Sequence, residues 1–318
     1  YVIDWIEDDT RFGWYYSDLN SEGKFNPTHI LVKYPAPDYL DIPRQLREIS
    51  PKVREIKHHN LHSSISHNTY LDRSTSSSLI KPLVFLVDFD NLPSGVPNKL
   101  YNKDQFQHLL FDENLDSDDA SLPSGYDMSV RDYYAEISND NLEVYGDDVS
   151  IVDWTTADHD YSDYVDGAQG TGRGPNGIAR SAAALVVEIA MEHHSEIDFS
   201  DFDGNNDGDV DVVILIVEGW GNGTVNQFWP HMSLIPSGDN GIGAINPSAP
   251  TNNDGYFSLD DVAIKKYIVI PEQTFTQYGD FYKPGYMHPI GTICHELGHV
   301  LGLPDLYDTN NEDIPGIG

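Results

Sequence analysis

The sequence predicts an α/β (α+β) domain, and two patterns carry that expectation. Apolar, β-rich runs recur along the chain, and segments of helical spacing lie between them. A third observation gives them room: 318 residues with 39% hydrophobic and 11% aromatic content can bury a large core.

The ordered pattern begins at Leu83-Val84-Phe85-Leu86-Val87-Asp88-Phe89, an apolar run that reads as a buried strand. Helical spacing follows from Lys103 to about Phe111 and from Met128 to about Ile137, the second with Tyr133, Tyr134 and Ile137 as apolar members. Gly174-Pro175-Asn176-Gly177 leads into a long Ala-rich segment, Ile178 to about His194, predicted as a buried helix. Asp211 to Glu218 reads as a central strand and Tyr267 to Ile270 as another, and a last helix is expected from Ile290 to about Leu301. The earlier residues differ. Residues 1–50 are rich in Asp, Tyr and Pro, and residues 51–80 carry His58, His59, His62 and His67 before the polar run Ser74 to Ser78. That composition predicts an exposed linker over 51–80, with the main domain over 81–318.

The charge balance excludes one class of partner. Eighteen Lys and Arg face 52 Asp and Glu, a net charge of −34, and nucleic acid needs a basic footprint. The acidic excess is read as a solvated surface. Cys294 is the single cysteine, so no disulfide can form within the chain, and a large core or bound ions must hold the fold. No run of about 18 apolar residues is present to span a membrane. The sequence opens on Tyr1 with no signal peptide, and a trimmed N-terminus is expected.

The chemistry concentrates in Cys294-His295-Glu296-Leu297-Gly298-His299-Val300-Leu301-Gly302-Leu303-Pro304-Asp305. Residues four apart share a helix face, so His295 and His299 can both reach one zinc ion. Glu296 lies one step round the helix, placed to act as general base on zinc-bound water. Gly302 permits a sharp turn at the helix end, and Pro304 stops the helix from resuming. Asp305, six residues after His299, is the candidate third ligand; its alternative role is to cap a turn. Glu312 is the competing ligand. Cys294 is expected to be a buried small hydrophobe, and His231 either lines the substrate cleft or is a packed histidine.

A second ion is suggested by Asp203-Gly204-Asn205-Asn206-Asp207-Gly208-Asp209-Val210-Asp211. Asp203, Asn205, Asp207 and Asp211 match the oxygen-bearing places of a calcium loop, with Gly208 at the turn and Asp209 beside it. The twelfth place is Ile214, so a calcium site of non-EF-hand type is expected, with Asp198 and Asp201 as further candidates.

The stretch from His295 to Asp308 resembles the signature of the immune inhibitor A family of secreted bacterial metalloproteases, which are metzincin-type zinc peptidases. Leu83 to Asp90, Asp198 to Asp211 and Phe228-Trp229-Pro230-His231 are similar to the same family, and Gly13-Trp14-Tyr15-Tyr16 is similar to its prosegments. The resemblance implies a metzincin-like zincin catalytic domain over 81–318, with a mixed twisted sheet and an active-site helix. It also implies a small prosegment remnant over 1–50. The implied protein is a secreted (extracellular) zinc endopeptidase, made as a zymogen, that hydrolyses protein or peptide substrates. No methionine follows the zinc motif, and Met287 lies upstream of it. The chain is therefore expected to stop before the Met-turn of a longer parent. Residues 1–80 contain no cysteine, so intramolecular inhibition by the N-terminal segment would use Asp38, Asp41, the His58–His67 cluster or occlusion. Two other readings stand beside this one: a thermolysin-like peptidase with a downstream glutamate ligand, and a non-catalytic secreted binding module stabilised by metals. Glu296 separates the latter, because a structural zinc site needs no base.

Overall fold

The structure is a computed structural model that describes residues 2–7, 12–19, 25–31, 78–115, 122–123, 126, 128–221, 224–278 and 281–305, with 2–7, 12–19, 25–31, 275–278 and 281–285 described by backbone course alone. The chain divides into two compact units, Tyr1–Asp72 and Arg73–Gly318. The first holds β1 (Val2–Glu7), β2 (Phe12–Leu19) and β3 (Phe25–Leu31), an antiparallel meander in the order β1-β2-β3.

In the second unit β4 (Ser78–Ile80) leads into β5 (Pro82–Asp88), followed by α1 (Lys103–Phe111) and α2 (Val130–Ser138). Next come β6 (Leu142–Val144), β7 (Ile151–Thr156), α3 (Tyr161–Val165) and α4 (Ala182–His193). Then follow β8 (Val212–Gly221), β9 (His231–Leu234) and α5 (Ile242–Ile245). The short pair β10 (Ser258–Leu259) and β11 (Val262–Ala263) precedes β12 (Lys266–Tyr278), β13 (Phe281–Met287) and α6 (Ile290–Val300).

The main sheet runs β13-β12-β8-β5-β7, with β9 also paired to β12. Its centre, β12, β8, β5 and β7, is parallel, whereas β9 and β13 are antiparallel to β12. A parallel sheet is covered on both faces, which is why these strands read as continuous apolar runs instead of alternating ones. Alternate residues supply two cores. Phe85, Val87, Val213, Leu215 and Val269 pack with α4 on one face. Val84, Leu86, Ile214, Ile216, Ile268 and Ile270 pack on the other with α1, α2 and the helix α6 that carries the histidine motif.

The expected helix at 178–194 starts later than its apolar pattern suggests. A 3-10 turn spans Gly177–Ala179, Arg180 is extended, and Ser181 caps α4 by accepting the Ala184 N–H. Gly170 O takes the Ala182 N–H at 2.9 Å, which anchors the start of the helix there. Strand β12 is far longer than the four apolar residues that announce it, because its second half pairs with β13.

Two buried carboxylates fasten the 89–101 connection across the strand ends. Glu218 accepts the N–H groups of Phe89 (3.1 Å) and Lys99 (2.8 Å), and Glu272 accepts that of Leu100 (2.9 Å). Burial pushes the Glu272 carboxyl up from 4.5 to about 7, and Asp211 up from 3.8 to about 6. A carboxyl whose folded pKa is raised contributes stability fully present below its unfolded pKa, and that stability is lost as pH rises through the folded value. Urea midpoints are therefore expected to fall between about pH 4.5 and 7 through Glu272. The fall should be smaller in Glu272→Gln, whose amide oxygen still accepts from Leu100. Equal slopes in the two proteins would rule this out.

Candidate metal centre

Helix α6 owes its position to one apolar face. Ile293, Cys294 and Leu297 are buried in the core it shares with α2 and the sheet, and the Tyr134 hydroxyl donates to Cys294 O at 2.7 Å. Cys294 is thus packed as expected, and burial pushes its thiol up to about 12, far from a reactive thiolate. The opposite face presents His295 and His299, four residues apart.

The helix ends in a Schellman motif. The Leu303 N–H bonds to Gly298 O at 3.0 Å and the Gly302 N–H to His299 O at 2.9 Å, with Gly302 at φ +85°. Leu303 folds back over Gly298, where a Cβ would meet the Leu303 Cδ1 at 3.6 Å. That turn delivers two things to the site. The Leu303 carbonyl lies 2.7 Å from His299 Nδ1 and accepts a hydrogen bond from it, which turns Nε2 toward the site as the ligand atom. Pro304 then carries the chain to Asp305.

Asp305 Oδ1 stands 3.1 Å from His295 Nε2 and 3.2 Å from His299 Nε2, and the two Nε2 atoms are 3.2 Å apart. Three donors at about 2.0–2.1 Å from a tetrahedral ion are separated by about 3.3 Å. The triangle therefore fits a cation such as zinc, and two imidazoles with one carboxylate is a ligand set that catalytic zinc uses. Among the described residues this is the one group of three or more His, Cys, Asp or Glu donors gathered closely enough for an ion. Asp305 Oδ1 stands at the third apex of this triangle; Glu312 lies outside the described residues, as do Asp38, Asp41 and the His58–His67 cluster.

Glu296 is 6% exposed and is no part of the triangle. Its Oε1 lies 4.0 Å from His295 Nε2, and its Oε2 accepts the Met232 N–H of β9 at 2.7 Å. Burial raises its carboxyl above the ordinary carboxylate range, while the Met232 N–H and the two histidines pull the other way. The partners Met232 N–H and Leu303 C=O escape a reading of side chains, because any residue carries them. A Pro-preceded four-residue strand gives too little periodicity to locate β9. His231 is packed: its Nδ1 lies 2.7 Å from Trp229 O, and its ring meets Tyr267 edge to face.

The 203–211 loop is organised differently. Asp203 accepts the N–H groups of Asp207 and Gly208, Asn205 shares that of Asp207, and Asp207 accepts that of Asp209. Asp209 pairs with Lys265 at 2.7 Å, and Asp211 accepts from Lys81 N and Gly204 N.

Gly302→Ala tests the turn. A left-handed conformation costs a non-glycine residue about 1–2 kcal/mol, so the variant should lose that much stability and bind metal more weakly. Unchanged stability and metal affinity would show that the turn does not set the site.

Comparison with known proteins agrees with this geometry. Residues 81–315 match the family model of the immune inhibitor A peptidase M6 catalytic domain. The chain is also 24% identical over 257 residues to Immune inhibitor A of Bacillus thuringiensis subsp. alesti, covering 72% of this chain and 34% of that protein. It thus spans about a third of the length of that relative. A catalytic-domain match over most of the chain, with a His-His-Asp cluster and a buried glutamate at its centre, places the chain in the immune inhibitor A (M6) family of metallopeptidases.

Proposed function

We propose that the protein is a secreted zinc endopeptidase that cleaves peptide bonds of protein substrates with Glu296 as general base. The convergence of His295 Nε2, His299 Nε2 and Asp305 Oδ1 within 3.2 Å of one another, beside a buried carboxylate, carries this reading. His295, His299 and Asp305 would hold the ion. Zinc supplies there the polarisation of a carbonyl and the acidification of water. Glu296 takes a proton from the attacking water and returns it to the departing amine. The Met232 N–H keeps one of its oxygens fixed, so the other is free for that transfer. Burial excludes bulk water from the base and raises its proton affinity.

Casein digestion tests the reading. A chelator should abolish it and zinc should restore it; digestion untouched by complete metal removal would contradict it.

We further propose latency imposed by the N-terminal residues, and a metzincin-type site. Mass spectrometry of the mature secreted protein tests the first, since an active species that retains Tyr1 would count against it. Calcium at Asp203–Asp211 belongs to the same reading, supported by the order of oxygen-bearing residues. Calcium bound to the folded state alone would stabilise it, so calcium added to chelator-treated protein should raise Tm. No shift would remove calcium from the account.

A further inference from the structure

Between α3 and α4 the chain passes through Asp166-Gly167-Ala168-Gln169-Gly170-Thr171-Gly172-Arg173-Gly174-Pro175-Asn176-Gly177. Despite five glycines this turn has one enforced shape. The Gln169 N–H bonds to Val225 O and the Trp229 N–H to Gln169 O, each at 3.2 Å. Gly170, at φ +79°, lies so close to Phe228 that a Cβ would stand 2.6 Å from its ring, and a Cβ on Gly174 would stand 2.1 Å from Asp166 O. The Asp166 carboxylate accepts both the backbone N–H and the side-chain amide of Asn176 at 2.7 Å. The turn is thereby locked to the 225–229 segment that runs directly into β9.

Arg173 projects from this turn, exposed. Lys81, Lys99, Lys103, Arg131, Arg180 and Lys265 each have a hydrogen bond or ion pair. Among cations whose side chains are described, Arg173 and Lys266 have neither. That is unusual in a chain of net charge −34, where acidic partners abound. The Arg173 charge reaches the His231 ring, which it disfavours from protonating after burial has already done so. His231 precedes Met232, the residue whose N–H seats Glu296. An unpaired guanidinium thus projects from a turn that is hydrogen-bonded to the segment leading into the strand that holds the candidate base.

We propose that Arg173 is a specificity-determining residue that binds an acidic side chain of the peptide substrate near the scissile bond. This rests on the peptidase reading above. The planar fork of a guanidinium matches a carboxylate through two hydrogen bonds. The surrounding acidic surface would otherwise repel an acidic peptide, and one unpaired cation offsets that locally.

The test uses fluorogenic decapeptides in which a single Glu, or a single Gln, is walked through the positions flanking the scissile bond. At one position the full-length wild-type protein should prefer Glu to Gln by about fivefold in kcat/KM. Arg173→Ala should abolish the preference and Arg173→Glu should reverse it. Arg173→Lys should restore part of it, and about 0.5 M salt should weaken it. Binding of the same peptides to Glu296→Gln protein, read by fluorescence anisotropy, should show the same Glu preference and lose it when Arg173→Glu is added. A Glu-to-Gln ratio unchanged by Arg173→Glu in both assays overturns the proposal while leaving the peptidase reading intact. Failure of the wild type to cleave any peptide overturns both.

Discussion

Glu296→Gln is expected to lower peptide hydrolysis by about a thousandfold, within the range of about 10²–10⁴ that general acid–base groups contribute. The substitution isolates chemistry from structure. The glutamine oxygen can still accept the Met232 N–H that Glu296 Oε2 now accepts at 2.7 Å, so the side chain keeps its seat against β9. The amide cannot take a proton from water. It also removes a carboxylate that burial disfavours when charged, so Tm should hold or rise. Because Glu296 lies outside the donor triangle, metal content should stay at the wild-type level. Casein digested by the variant at the wild-type rate would remove Glu296 from the mechanism and revive the reading of a metal-stabilised binding module.

Asp305→Ala should have the second large effect, on the metal itself. Changes to groups that merely orient a ligand cost about 10–100-fold in metal affinity, so loss of a ligand should cost at least about a hundredfold. Metal analysis after dialysis should show near-stoichiometric zinc in the wild type and little in the variant. Asp305 sits beyond the helix, so this loss should come with only a small change in folding free energy of the metal-free protein. Retained zinc in Asp305→Ala would instead point to a ligand such as Glu312 and a thermolysin-like arrangement.

The donor triangle was legible in sequence because each of its parts follows from local rules. His295 and His299 share a face by helical periodicity, and Gly302 can take the positive φ that ends the helix. Asp305 follows at a distance fixed by that turn. The central strands were legible for a similar reason, since burial on both faces leaves Leu83–Val87 of β5 and Val212–Val217 of β8 apolar throughout. What escaped depends on partners distant in sequence. The base is held by an amide 64 residues away, and the second half of β12 exists through pairing with β13. Short strands such as β7, with Asp153 and Thr155 among apolar residues, carry little pattern of their own. In the 203–211 loop the spacing of carboxylates is visible, but Lys265, which holds Asp209, comes from the approach to β12.

Zinc-edge X-ray absorption on the full-length protein tests the central claim most directly. The account predicts a nearest shell of nitrogen and oxygen at about 2.0–2.1 Å, with the scattering of two imidazoles, lost when His295 and His299 are both replaced by alanine. A shell containing sulfur, or one unchanged in the double variant, would contradict it.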